Sequence, residues 1–165
     1  ASSGSGSFSH FALVLMASMT GTRMVHVPYK GGGPATTALV SGETQVLVGS
    51  PAAVSVQLSA GRVRALGVTS DTRLSAFPKV PTVAEAGAPG YEYTGWVGVF
   101  APSATPRAIV DRMNAEIKRA IESADTQKRL EELEPWTMTP QQMAARIKTD
   151  YEKYDRLLKL VGKLD

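Results

Sequence analysis

The chain has 165 residues, 43% of them apolar, enough for one domain or two small ones around an ordinary core. Its 18 basic and 15 acidic residues are interspersed, so the net charge of +3 carries no nucleic-acid signature, and the absence of cysteine excludes thiol catalysis, disulfides and cysteine-ligated zinc. The longest apolar run, Phe11 to Met19, is broken by Ser18 and too short to cross a bilayer. With no initiator methionine and no secretion signal at the front, an upstream portion of the protein is expected.

In chain order, Ala1 to His10 is a serine-glycine loop running into a helix from Phe8 to Thr20, with Phe8, Phe11, Leu15 and Met19 at helical spacing and Gly21 behind. Met24 to Val27 reads as a short strand and Tyr29 to Pro34 as a glycine-rich turn. Pro34 to Ser41 makes a second helix, Val46 to Gly49 a buried strand, Ala52 to Ala60 a helix closed by Gly61, and Ala65 to Thr69 another strand. Helices alternating with strands imply a largely parallel sheet, with ligand sites at the carboxyl ends of the strands. Residues 71 to 89 lose this rhythm and read as a connection, with a helical turn at Val83 to Ala86. Tyr93 to Phe100 resumes as a strand. Helices follow from Thr105-Pro106 (Ile109, Met113, Ile117, Ile121), over Asp125 to Leu133, and from Thr139-Pro140 to Val161, the last with a packing stripe that includes Tyr151 and Tyr154 and with Gly162 ending it.

The opening loop is the most informative segment. A helix start presents unpaired N–H groups at the positive end of its dipole, and small residues there let an anion approach the backbone. Three such loops are expected to gather at one edge: Ser2 to Ser7, Tyr29 to Gly33, and Ser50-Pro51. Gly31-Gly32-Gly33 lacks the Gly-Lys-Ser/Thr ending of a nucleotide P-loop. His10 is read as fixing the loop by a hydrogen bond, and His26 as a satisfied sheet residue.

Five words of the sequence then resemble one family in order and spacing. They are Ser2-Ser3-Gly4-Ser5-Gly6-Ser7 with His10, His26-Val27-Pro28-Tyr29-Lys30-Gly31, Arg64-Ala65-Leu66-Gly67-Val68-Thr69-Ser70, Pro81-Thr82-Val83-Ala84-Glu85-Ala86-Gly87, and Phe100-Ala101-Pro102 with Thr105-Pro106. Together they resemble the Bug family, extracytoplasmic solute receptors of tripartite tricarboxylate transporters. The resemblance covers essentially the whole chain. It implies an α/β fold of the type II periplasmic-binding-protein kind, with residues 1–92 as one near-complete ligand lobe and residues 93–165 as the C-terminal part of the other.

The resemblance further implies a periplasmic receptor that binds a small organic anion (a di- or tricarboxylate, an acidic amino acid or an aromatic acid) and delivers it to membrane transporter subunits, without a cofactor. Carried over residue by residue, Ser2, Ser3, Gly4, Gly6 and Ser7 form the carboxylate loop, with Tyr29, Lys30, Gly31 and Ser50 behind them. Gly49-Ser50 stands where family members often show an acidic-amide pair, which leaves that wall less suited to an ammonium group. No catalytic or metal residues are expected. A Ser-His hydrolase is the enzyme alternative, opposed by the lack of a Gly-x-Ser-x-Gly elbow, and a ligand-sensing effector domain is the third. Exposed apolar surface on the C-terminal portion is expected to favour a homodimer.

Overall fold

The computed structural model describes residues 1–130 and 137–161. It contains six helices in that range: α1 (Phe8–Thr20), α2 (Gly32–Val40), α3 (Pro51–Ser59), α4 (Arg107–Glu122), α5 (Ala124–Arg129) and α6 (Pro140–Val161). The chain divides into two compact units, one made of Ala1–Gly95 with the end of the chain from Arg156, the other of Trp96–Asp155.

Helix boundaries follow local chemistry. The Ser7 hydroxyl caps α1 by accepting the His10 N–H at 3.3 Å, and Gly21 closes it at φ 65°. Helix α2 begins at Gly32, two residues before the expected Pro34, because first-turn N–H groups have no intrahelical partner and proline is tolerated throughout that turn. Pro51 opens α3 at its first position. At the front of α6, Thr139 and Gln142 exchange side-chain bonds with each other's backbone N–H, a capping box. Thr82 and Glu85 make the same reciprocal pair at the expected helical turn near Val83. Helix α5 stops at Arg129 with Leu130 as its non-helical cap, and the rest of the expected continuation, 131–133, lies outside the described residues, as does Gly162.

The expected strands are corrected. Met24 to Val27, Val46 to Gly49, Ala65 to Thr69 and Tyr93 to Phe100 run without regular ladders, and the described pairing is two isolated parallel bridges, Ser2 with Pro28 and Val68 with Thr82. Apolar β-formers make a strand only where a neighbour completes the ladder. Val25 is 89% exposed and Val97 99% exposed, and Val46 to Val48 are only half-buried. Where segments do meet, the bonds are parallel in sense: Ser2 N–H to Val27 O (3.1 Å) and Tyr29 N–H to Ser2 O (3.0 Å), then Val68 N–H to Pro81 O and Val83 N–H to Val68 O (both 2.9 Å).

The core of the first unit packs Phe11, Ala12 and Leu13 of α1, Ala35 and Ala38 of α2, Tyr91 and Tyr93. The Tyr91 hydroxyl donates to Ala12 O at 3.0 Å, and burial pushes this phenol up to about 12. The Phe8 and Tyr93 rings meet at 4.8 Å. In the second unit, Asp150 accepts from Trp96 Nε1 (2.6 Å) and Arg146 Nε (2.8 Å). The packing stripe on α6 is corrected at Tyr151, which is 77% exposed, whereas Tyr154 is half-buried and Leu157 buried.

Candidate functional site

The Ser2–Ser7 loop is a closed hydrogen-bond network. Ser2 is fully buried; its hydroxyl donates to Gly4 O (3.0 Å), accepts Gly4 N–H (3.2 Å), and lies 2.6 Å from His26 Nε2. Ser9, in the first turn of α1, draws in both loop ends: it accepts Ser3 N–H at 2.9 Å, and its hydroxyl lies 3.0 Å from those of Ser3 and Ser7. Gly6 N–H donates to His10 Nδ1 at 3.1 Å, the loop-fixing bond expected of His10, and Ser7 N–H returns to Gly4 O at 3.2 Å. Gly6 sits at φ 72°, a left-handed conformation that a side chain would strain. Ser5 is exposed at the tip.

The start of α2 adjoins this loop, and the start of α3 packs against α2. Gly31 N–H donates to Ser3 O at 3.1 Å, which ties the beginning of α2 to the loop. Gly31 holds φ 106° and caps α2 without a side chain. A Cβ on Gly32 would lie 3.9 Å from Ala53 Cβ in the first turn of α3, so these two helix starts pack directly together. Among the described residues, none accepts the N–H groups of Phe8, Ser9, Gly32 or Gly33. The starts of α1 and α2 therefore meet at one loop, with the start of α3 packed against that of α2, an arrangement suited to a small anion.

His10 and His26 stack face to face behind the loop, with ring centroids 3.7 Å apart and planes within 3°. Both imidazoles are held below their usual range, His10 by burial, His26 by burial and then by His10 and the Ala1 amino group.

The family model described as "Tripartite tricarboxylate transporter family receptor" matches residues 1–163. The chain belongs to this receptor family. It is 42% identical over 161 residues to a Pseudomonas sp. (strain P51) protein named for the tcbD-tcbE intergenic region, covering 96% of this chain and 48% of that protein. Among solved structures, it is similar to R. palustris Rpa4515 with adipate (TM-score 0.86, 33% identity, covering 94% of this chain and 52% of that one). It is also similar to MatC from Rhodopseudomonas palustris with bound malate (TM-score 0.77, 31% identity, 95% and 54%). The receptor chain thus spans about half the length of these relatives, and its fold is the corresponding part of a type II periplasmic binding protein.

The remaining sequence-derived positions fall around the loop with different surroundings. Tyr29 directs its hydroxyl to Glu43 Oε1 at 2.7 Å, and this bond holds the phenol above its usual range. Lys30 is exposed, with no ion pair among the described residues. Ser50 caps α3 by position only, its hydroxyl making no capping bond. Sequence reasoning missed Ser9 and Glu43. The Ser7-x-Ser9 spacing at a helix start was the available signal for Ser9, whereas nothing local ties Glu43 to a tyrosine fourteen residues earlier. Among the described residues there is no group of three or more metal-binding side chains and no helix long and apolar enough to cross a membrane.

Proposed function

We propose that this chain carries the anion-gripping portion of a periplasmic receptor that binds a small dicarboxylate and hands it to a tripartite transporter without chemical change. The observation that carries the reading is the meeting of the α1 and α2 starts at the Ser2–Ser7 loop, with the N–H groups of Phe8, Ser9, Gly32 and Gly33 unclaimed among the described residues. Hydrogen bonds to a charged acceptor contribute about 1.5–3 kcal/mol each, so a few of them offset the desolvation of one carboxylate. Ser3, Gly4, Gly6 and Ser7 shape the cradle, Ser2 anchors it from below, and Tyr29, Lys30, Gly31 and Ser50 border it. Adipate and malate in the similar structures support a dicarboxylate as the ligand class. In this reading residues 1–92 form the ligand lobe and residues 93–165 belong to the other.

The Ser2–His26 contact has the length of a nucleophile–base pair, yet it does not favour hydrolysis. Ser2 is fully buried, its hydroxyl is shared with Gly4, and no carboxylate contributes to the perturbation of His26. Calorimetric titration with adipate tests the proposal. The native chain binds, and Ser3→Ala with Ser7→Ala weakens binding roughly fivefold, the worth of about one hydrogen bond. Equal affinities, or no adipate or malate binding by the native chain, reject it.

A further inference from the structure

The stacked imidazoles behind the loop have defined protonation states. His10 Nδ1 accepts the Gly6 N–H, so it carries no proton, and the neutral ring holds its hydrogen on Nε2. The Ser2 hydroxyl lies within reach of Gly4 O (3.0 Å) and His26 Nε2 (2.6 Å), and we assign its one proton to Gly4 O, which makes His26 Nε2 the donor to Ser2 Oγ. Both rings are then neutral Nε2–H tautomers, each bonded to a different member of the loop. Every charge that acts on them disfavours a second proton. The rings face each other at 3.7 Å, the Ala1 amino group adds to the repulsion at His26, and His10 lies in the first turn of α1, at the positive end of its dipole. No carboxylate appears among the groups that shift either ring.

We propose that His10 and His26 are paired positioning residues whose neutral stack holds the Ser2–Ser7 loop in its anion-binding shape, so that capture fails when either ring is protonated. The inference rests on the receptor reading above. A proton on His10 Nδ1 faces the Gly6 N–H donor to donor and breaks that tie. A second proton on His26 goes to Nδ1, leaves the Nε2–H bond to Ser2 in place and sets a cation against the His10 ring, which strains the stack that backs the loop. Burial and the neighbouring charge hold both imidazoles below the usual histidine range of about 6.5, so the unfolded chain takes up protons at pH values where the native loop does not. The ordered loop is therefore fully favoured above about pH 6.5 and loses that advantage as pH falls toward the two native values. The sign is diagnostic, because imidazolium charge acting only by attraction strengthens anion binding in acid.

The test uses the full chain with nitrogen-15-labelled histidine and backbone. Spectra are followed from about pH 8 to about pH 5, alongside His10→Asn/His26→Gln, which keeps an acceptor for Gly6 N–H and a donor for Ser2 Oγ but does not titrate. The Gly4 and Gly6 amides move in step with the imidazole nitrogens in the native chain and stay still in the variant. The dissociation constant for adipate rises about tenfold more across that range in the native chain than in the variant, equivalent to one unit of linked pKa. Adipate's own titration is common to both proteins. Loop amides indifferent to the imidazoles, Nδ1–H tautomers, or equal losses of affinity in the two proteins overturn the proposal; the native spectra alone decide if the variant does not fold. If the amides follow the imidazoles while adipate binds neither protein at any pH, the positioning role stands and the receptor reading falls.

Discussion

The two compact units are held together by different means. In Ala1–Gly95, residues far apart in sequence are joined through the backbone and buried polar groups: Ala1 to Val46, Ser2 to His26, Tyr91 to Ala12. All eight positive-φ glycines of the described chain lie there. Among the described residues of Trp96–Asp155, five ion pairs run at helical spacing along α4, α5 and α6, and four of these five involve side chains about half or more exposed. Its apolar side chains Val97, Val99, Phe100, Ile109 and Met113 are largely exposed as well. The contrast supports the proposed placement of recognition in the first unit. A backbone that binds an anion is bared by glycine and held in place by long-range polar bonds, and among the described residues only the first unit combines positive-φ glycines with such bonds.

Substitutions that probe each kind of bond sharpen this contrast. Tyr91→Phe has the larger expected effect, because it removes the buried long-range bond to Ala12 O and leaves that carbonyl only its helical donor, a loss of about 0.5–1.5 kcal/mol in unfolding free energy. Urea denaturation measures it, and a loss below about 0.5 kcal/mol contradicts the importance given to buried long-range bonds. Asp111→Ala on α4 removes the exposed pair with Arg107 and shifts stability by less than about 0.5 kcal/mol. A loss comparable to that of Tyr91→Phe erases the distinction between the units.

Much of the helical frame was legible in the sequence, because helix ends are decided by single residues: Gly21 behind α1, Pro51 at α3, Thr139-Pro140 at α6. The strands were not, since a run such as Tyr93 to Phe100 carries β-propensity without naming a ladder partner, and here it forms no ladder. The loop at Ser2–Ser7 was visible through its composition, and His10 through its place in the first turn. The stack of His10 on His26 was not, because it depends on bringing a helix start against a segment sixteen residues away. Ser2 shows the same limit in another form: its residue type suits an anion cradle, and only the fold reveals that its hydroxyl is spent on Gly4 and His26.

The account stands on the N–H groups at the starts of α1 and α2 as the anion grip. Amide chemical-shift mapping of the labelled chain during adipate titration tests it most directly. The account predicts the largest saturable shifts at Phe8, Ser9, Gly32 and Gly33, with residues of α4 and α5 unmoved. Saturable shifts centred elsewhere, with those four amides still, contradict it.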